Sequence, residues 1–244
     1  MITAIILAGG IGCRAGAGRP KQFVEVLGKP VLAYTTEIFQ EHSEVDAIEI
    51  VCHVNWITYC QDMVKRYNLT KVRWIVQGGE TFQDSVMNGI KNLEIEMKKG
   101  VFNKDDYVLI QYSAAPFTSD KIVSDVIRVM KEHGLAVTAT PCYQLMGTND
   151  ENQTSKTWIN RDQYIQIACP YGFQFSYLLN LYKRAEKQGL LEKIEPHTTS
   201  LIYALGDTIY QAYGDQTNIK ITTKEDYDLF EGYVLMKQRR KAGG

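Results

Sequence analysis

The fold is decided by residues 6 to 23, ILAGGIGCRAGAGRPKQF, in which an apolar strand runs into a glycine-rich loop. The strand is predicted to end at Leu7. Glycine tolerates positive φ and lets consecutive backbone N–H groups converge on one anion, so the loop is expected to bind phosphates. The loop residues expected to surround this anion are Ala8, Gly9, Gly10 and Gly12.

Two cations accompany these glycines. Arg14 lies within the loop, and Lys21 follows shortly after it. Positive side chains at these positions suit the charge that builds on an α-phosphate under attack and on a departing pyrophosphate. A strand, a glycine-rich loop and two cations are together typical of a nucleotidyltransferase, with Arg14 and Lys21 as its catalytic residues.

Two other nucleotide-binding patterns compete with this interpretation. The segment from Gly10 to Ala15 matches the dinucleotide fingerprint G-x-G-x-x-G/A, which requires a helix to begin inside the loop. Here the chain is expected to stay irregular from Gly16 until about Val31, and His53 follows the second strand where an acidic residue is needed. The P-loop pattern G-x-x-x-x-G-K-[ST] is absent from the sequence. A dehydrogenase and a P-loop enzyme are therefore both disfavoured.

Beyond the loop, short apolar runs alternate with segments of helical period. This alternation predicts βαβ units and an α/β fold, a Rossmann-like doubly wound and mostly parallel sheet with helices on both faces. The predicted strands are residues 3–7, 47–53, 72–76, 107–111, 136–140, 164–169 and 208–213, followed by an extended segment at 219–222. The predicted helices are residues 31–41, 57–67, 81–97, 119–133, 176–188 and 200–205, and a last helix from residue 224.

The chain of 244 residues is expected to form a single nucleotidyltransferase domain. After Pro141 a polar stretch, residues 147–156, interrupts the pattern and predicts a hairpin that leaves the sheet. Such an arm, at about residues 141–169, carries too little apolar surface to be stable alone. It is therefore expected to pack against a second subunit, which would make the protein a homodimer.

Composition narrows the range of partners. A formal net charge of -1 offers no field for a polyanion, and the basic cluster from Lys237 to Lys241 suits the end of a helix. No apolar run approaches the roughly 18 residues of a membrane span, and no signal peptide is recognisable. The cysteines and histidines show no metal-ligand spacing. We therefore expect a cytoplasmic protein with no nucleic-acid and no membrane partner.

Several segments together resemble a known enzyme family. They are LAGGIGCR at 7–14, PKQF at 20–23, GGETFQDSV at 78–86, SAAPF at 113–117, NR at 160–161 and NIKITT at 218–223. In order and spacing they resemble the cytidylyltransferases that make CDP-methylerythritol or CDP-ribitol. The resemblance implies the fold of the nucleotide-diphospho-sugar transferases, CTP and a polyol phosphate as substrates, and Mg²⁺ as cofactor. It also implies a role in isoprenoid or cell-wall polyol-phosphate biosynthesis.

Residue roles carry over from this family by position. In its reaction the acceptor phosphate attacks the α-phosphorus of CTP without a covalent enzyme intermediate, and Arg14 and Lys21 would stabilise the transition state. Arg161 and Lys220 would position the acceptor's phosphate, with Arg161 reaching from the arm to the neighbouring subunit. The resemblance also implies a set of nucleotide-binding residues, which are Leu7, Ala8, Gly9, Gly10, Gly78, Gly79, Asp84, Ser85 and Ser113.

The sequence departs from the family pattern around the metal and the acceptor. Tyr112 stands where the family has the aspartate expected to bind Mg²⁺, and a neutral phenol is a poor ligand for a hard cation. Asp84 and Asp215 are the alternative carboxylates. Family side chains are also replaced at Phe82, at Ala115, at Gln144 and Leu145, and at residues 168–171.

Two interpretations of these departures stay open. In one, the protein is an active cytidylyltransferase whose acceptor pocket is altered. In the other, it is a catalytically degenerate member that binds nucleotide or acts as a non-catalytic partner. The joint presence of Arg14, Lys21, Arg161 and Lys220 favours the active enzyme, because a solvated surface does not need four cations at these spacings.

Overall fold

The computed structural model of the protein describes residues 1–10 and 19–242. The predicted site residues Gly12 and Arg14 lie outside this range. In chain order the strands are β1 Ile2–Ala8, β2 Glu25–Val26, β3 Lys29–Pro30, β4 Ala47–Cys52, β5 Val72–Gln77, β6 Tyr107–Tyr112, β7 Leu135–Pro141, β8 Met146–Gly147, β9 Trp158–Ile159, β10 Ile165–Gln174 and β11 Gln211–Tyr213.

The helices alternate with these strands much as the sequence predicts. They are α1 Val31–Glu41, α2 Ile57–Arg66, α3 Phe82–Lys98, α4 Asp120–His133, α5 Phe175–Lys187, α6 Thr198–Ala204 and α7 Lys224–Ala242. Short 3-10 helices lie at Lys21–Phe23, Val54–Trp56 and Arg161–Gln163. Within the described ranges, no helix combines the length and the apolar character needed to cross a bilayer.

The central sheet of the described chain has seven strands in the order β11-β7-β10-β6-β1-β4-β5. β1 pairs in parallel with β4 and β6, β4 with β5, and β7 with β11. β10 alone among these pairs antiparallel, with β6 on one side and β7 on the other. The prediction of a mostly parallel, doubly wound α/β sheet is confirmed.

Alternation along β1 explains why helices cover both faces of the sheet. Ile6 points into a buried cluster that includes side chains of α1, α2 and α4. Ile5 points to the opposite face, into a cluster with side chains of α3, α5 and α6. A strand sends successive side chains to opposite faces, so a continuous apolar run such as β1 needs a helical layer on each side.

A carboxyl group of β4 is enclosed by one of these layers. Glu49 is fully buried, and both of its carboxyl oxygens lack a hydrogen-bond partner. Burial raises the pKa of Glu49 well above its ordinary value, and the charge of Glu96 adds to this shift. Glu49 is therefore protonated in the folded protein well above pH 4.5.

Regular structure differs from the prediction at three places near the end of the chain. β10 continues to Gln174 instead of ending at residue 169, and a register shift between Ala168 and Tyr171 separates its two halves. β11 is shorter than the predicted strand at 208–213. Residues 219–222 form no strand. Ile221 donates its N–H to Ala114 O at 2.7 Å, and its buried side chain packs in the cluster that α7 contributes to.

The arm contains the predicted hairpin. β8 and β9 pair antiparallel, with Met146 opposite Ile159 and Gly147 opposite Trp158. Large side chains of the arm face solvent, since Leu145 is 84% exposed and Trp158 is 69% exposed. After the hairpin and the 3-10 helix Arg161–Gln163, the chain enters the sheet as β10, whose first half pairs with the end of β7.

Candidate active site

The candidate site lies at the carboxyl edge of the sheet, where β1, β4, β5 and β6 end. Ligands of open α/β sheets bind at this edge, because the loops that follow neighbouring strands meet there. Gly78 donates its N–H to Cys52 O at 2.8 Å, and Ser113 donates its N–H to Leu7 O at 3.1 Å. These main-chain bonds join the loop after β5 to β4, and the loop after β6 to β1.

Two glycine loops touch each other at Ser85. A Cβ atom on Gly9 would lie 2.8 Å from Ser85 Oγ, and one on Gly78 would lie 3.1 Å from the same oxygen. The N–H of Gly79 donates to Ser85 Oγ at 3.1 Å. A Cβ on Gly79 would overlap Asp84 Cβ at 2.1 Å. The backbone can approach this closely only because these residues carry no side chain.

Asp84 serves the helix that carries Ser85. Its Oδ2 accepts the backbone N–H of Thr81 at 3.1 Å and the Thr81 hydroxyl at 2.8 Å, while Thr81 Oγ1 accepts the N–H of Asp84. This reciprocal capping box begins α3. Asp84 lines a neighbouring surface cavity and not the cavity that contains Gly9. Contact between Asp84 and a nucleotide therefore stays a prediction, and its carboxylate already has a structural partner.

Gln22 holds the first loop in shape, a role that the sequence interpretation missed. Its side chain is buried, and its Nε2 donates to Ala8 O at 3.0 Å and to Gly10 O at 2.8 Å. Both carbonyls flank Gly9. The signal was present in the PKQF segment at 20–23, of which the sequence interpretation used the lysine alone.

Lys21 follows directly from this anchored turn. Its Nζ donates to Ile221 O at 2.9 Å, and its backbone O accepts the Tyr227 hydroxyl at 3.1 Å. Lys21 thereby links the first loop to the segment that also contains Lys220.

A cavity of about 450 Å³ lies against both glycine loops, and we call it the nucleotide cavity. Lys21 and Lys220 bring two cations to its wall. Ala8 and Gly78, which were also predicted to bind the nucleotide, do not line this cavity. The other residues predicted to bind the nucleotide that do line this cavity are Leu7, Gly9, Gly10, Gly79, Ser85 and Ser113.

A second cavity, of about 570 Å³, adjoins the first, and we call it the acceptor cavity. Residues 166–169 of β10 form one side of it, and Asp215 and Asn218 belong to another. Tyr112, His197 and Lys220 line both cavities. We call these three residues the dividing wall.

Tyr112 contacts both other residues of the dividing wall. The hydroxyl of Tyr112 lies 3.0 Å from the hydroxyl of Tyr171 and 2.8 Å from His197 Nδ1. Lys220 Nζ lies 4.9 Å from the centre of the Tyr112 ring, a cation–π distance. Phe82 packs edge-on against Tyr112 and His197, with ring centres 5.5 and 5.7 Å apart. The sequence showed no metal-ligand spacing for His197 and did not connect it with the site.

Protonation in the dividing wall follows from burial. Burial raises the pKa of Tyr112, and the neighbouring Tyr171 raises it further. Burial also lowers the pKa of His197; Glu195 opposes this shift and Lys220 adds to it. Tyr112 is therefore a neutral phenol and His197 a neutral imidazole at neutral pH.

Asp215 and Arg161 were predicted to act on the metal and on the acceptor, and only Asp215 lines a cavity of the site. Asp215 lines the acceptor cavity, and its Oδ1 accepts from the backbone N–H and hydroxyl of Thr217. Arg161 lies on the exposed arm, where its guanidinium donates to Tyr143 O, and it lines neither cavity of its own chain. Its predicted reach to a neighbouring subunit stays a prediction.

Comparison with known proteins identifies a family whose model matches nearly the whole chain. Residues 2–236 match the family model of IspD, 2-C-methyl-D-erythritol 4-phosphate cytidylyltransferase. Ribitol-5-phosphate cytidylyltransferase from Lacticaseibacillus paracasei is 33% identical over 238 residues, covering 98% of this chain and 100% of that protein. 2-C-methyl-D-erythritol 4-phosphate cytidylyltransferase from Clostridium novyi is 32% identical over 232 residues, covering 95% of each.

Solved structures agree at the level of the fold. The crystal structure of 4-diphosphocytidyl-2C-methyl-D-erythritol synthase from Anaerococcus prevotii superposes with a TM-score of 0.76 at 24% identity, covering 96% of this chain and 98% of that one. The corresponding cytidylyltransferase from Thermus thermophilus gives a TM-score of 0.72 at 22% identity, with 96% and 98% coverage. From its sequence match over nearly its whole length, the chain belongs to the IspD family of 2-C-methyl-D-erythritol 4-phosphate cytidylyltransferases.

Proposed function

We propose that this protein transfers a cytidylyl group from CTP to the phosphate of a sugar alcohol, giving a CDP-polyol and pyrophosphate. The observation that carries the proposal is the pair of adjoining cavities with Lys220 in the wall common to both. A transfer between two phosphorylated substrates needs two such pockets, with a cation where the phosphates meet.

The transfer is proposed to occur directly between the two substrates, without a covalent bond to the protein. An oxygen of the acceptor phosphate forms a bond to the α-phosphorus of CTP, and the bond from that phosphorus to the β-phosphate oxygen breaks, releasing pyrophosphate. Lys21 and Lys220 would stabilise the negative charge of the phosphates from the nucleotide cavity. Arg14, from the same loop as Gly9, is proposed to share this task.

Magnesium is proposed as the cofactor, bound chiefly by the triphosphate. The described residues contain no group of three or more His, Cys, Asp or Glu side chains placed to hold a metal ion. Glu80 supplies a carboxylate to the nucleotide cavity, whereas the family's aspartate position is the hydrogen-bonded phenol Tyr112. This donor set suits Mg²⁺, which keeps several waters and takes one or two carboxylates beside substrate phosphates. When bound, it would neutralise part of the triphosphate charge.

The acceptor is proposed to be a polyol phosphate, with methylerythritol phosphate and ribitol phosphate as the first candidates. Both named relatives act on acceptors of this kind. We further propose that the arm pairs with a second copy of the chain, which would bring the partner's arm toward the acceptor cavity. A CTP-consuming enzyme of this kind would act in the cytoplasm, where CTP is made.

The test is pyrophosphate release from CTP and Mg²⁺ with a panel of polyol phosphates. We expect turnover by the wild-type protein. Lys21→Ala should lower the rate by roughly 10²- to 10³-fold, because it removes a contact to developing phosphate charge. Lys183→Ala removes a largely exposed cation outside both cavities and is the matched control.

Binding and turnover together separate the two interpretations of the sequence. If calorimetry detects CTP binding while no acceptor in the panel supports pyrophosphate release, the protein is a non-catalytic nucleotide binder. If Lys21→Ala and Lys183→Ala release pyrophosphate equally fast, the assignment of Lys21 is wrong.

A further inference from the structure

His197 reaches both cavities, yet it belongs to none of the segments that resemble the family. Its backbone N–H donates to Glu195 O at 2.8 Å, and its Nδ1 lies 2.8 Å from the Tyr112 hydroxyl. Phe82 packs against the ring. The imidazole is therefore held in one orientation from both its backbone and its side chain.

Glu195 and Tyr112 together favour the tautomer of His197 that carries its hydrogen on Nε2. His197 Nε2 lies 3.4 Å from Glu195 Oε1, and a carboxylate can only accept. A hydrogen on Nε2 fits both contacts of the ring, because it faces Glu195 and leaves Nδ1 to accept from the Tyr112 hydroxyl. The Tyr112 oxygen can in turn accept from Tyr171, at 3.0 Å. An N–H donor and a carboxylate acceptor thus stand side by side on the acceptor cavity.

The charges of the acceptor cavity restrict what it can bind. Among its described lining residues, the cation is Lys220, and the carboxylates are Glu195 and Asp215. One phosphate can pair with Lys220. A second anionic group would meet two carboxylates, and like charges in a confined pocket repel. The remainder of the acceptor should therefore be neutral and polar.

We propose that His197 and Glu195 form a specificity-determining pair that binds a hydroxyl group of the acceptor, and that Tyr112 positions His197 for it. A hydroxyl group is both donor and acceptor, so it can accept from Nε2–H and donate to the carboxylate at once. The acceptor is then a neutral polyol chain with a single phosphate, which Lys220 binds. The role of the pair in transfer rests on the proposed function.

Binding without CTP tests the pair apart from catalysis. The probes are ribitol 5-phosphate, methylerythritol 4-phosphate and glycerol 3-phosphate, with inorganic phosphate as the reference, titrated by calorimetry. Glu195→Gln removes the negative charge of the carboxylate. His197→Asn keeps a hydrogen-bond acceptor near the position of Nδ1 but has no atom near the position of Nε2. We expect each variant to weaken binding of the preferred polyol phosphate about ten-fold and to leave inorganic phosphate unchanged.

The matched controls are Glu192→Gln and His133→Asn, which change the same residue types outside both cavities. These controls should bind the polyol phosphates like the wild type. The pair is refuted if Glu195→Gln and His197→Asn also bind them like the wild type, or if the wild type binds sugar bisphosphates or sugar acids in preference to all three probes.

Tyr112→Phe tests the positioning role. Nitrogen-15 NMR of the wild type should show His197 protonated at Nε2, and the variant should show a mixture of the two neutral tautomers. In turnover assays the variant should raise the acceptor's KM several-fold. An unchanged tautomer in Tyr112→Phe removes Tyr112 from the proposal.

Failure of this inference is distinguishable from failure of the proposed function. Turnover with acceptors that do not depend on His197 or Glu195 would leave the transferase standing without the pair. Pair-dependent binding of a polyol phosphate without pyrophosphate release would leave the pair standing without the transferase.

Discussion

The two glycine loops of the nucleotide cavity depend on residues that have no Cβ atom. Gly9, Gly78 and Gly79 pack against α3 at distances that leave no room for Cβ atoms. Such positions can be predicted from a sequence, because close packing of the backbone there allows only glycine. The roles of Tyr112 and His197 are not readable in the same way. They arise from contact between residues 85 positions apart, and neither residue type reveals its partner.

Gly9→Ala should destabilise the protein, because the new Cβ would lie 2.8 Å from Ser85 Oγ, inside van der Waals contact. Overpacking of this kind typically costs about 1–3 kcal/mol. The measurement is the free energy of unfolding in urea. Gly10→Ala is the control, since a Cβ there would meet nothing within 4 Å. Equal stabilities of the two variants would contradict the packing argument, and Ser85→Ala should restore part of the loss in the Gly9→Ala background.

At the element scale, the boundaries of most helices and strands follow from apolar periodicity, with α1 predicted at the same residues that it occupies. The direction of β10 does not. Periodicity gives a strand its faces but not its orientation, which the neighbours β6 and β7 decide. The hairpin of β8 and β9 was predicted from polar composition, which does not indicate that Leu145 and Trp158 are exposed in the folded chain.

The arm is predicted to be the surface through which two copies of the chain form a dimer. Replacing Leu145 with Asp and Trp158 with Ser should turn a dimer into a monomer, because both large side chains are exposed in the isolated chain and suit burial against a second copy. Sedimentation velocity measures the change, and circular dichroism checks that the fold is kept. Leu229→Asp, at an exposed position on α7, is the control and should leave the mass unchanged. A wild type that sediments as a monomer would rule out the arm as an interface.

At the scale of the whole molecule, two helical layers enclose one sheet, and this much the alternating sequence pattern predicts well. The pattern does not predict Glu49, because a charged residue in an apolar strand looks like an outward-facing position. In the fold both faces of β4 are covered, so the side chain has no route to water. Global stability then depends on the protonation of this carboxyl group.

Glu49→Gln should stabilise the protein increasingly as pH rises. The pKa of Glu49 is raised in the folded state, so the unfolded chain releases the proton first, and wild-type stability falls from about pH 4.5 up to the folded pKa. Over that window the variant should gain up to about 1.4 kcal/mol per pH unit relative to the wild type. Urea unfolding between pH 4 and 9 measures this difference. Glu231→Gln, on the exposed side of α7, is the control, and parallel stability curves for Glu49→Gln and the wild type would contradict the argument.

The opposite direction of β10 would have a consequence for a dimer formed through the arm. β10 follows the arm in the chain, and its residues 166–169 line the acceptor cavity. A second copy that binds the arm would therefore also affect the position of one side of this cavity. In a protein that pairs through its arms, affinity for the acceptor becomes a property of the pair. Dilution below the concentration at which the pair separates would then weaken acceptor binding while sparing that of CTP, so protein concentration itself would act as an effector.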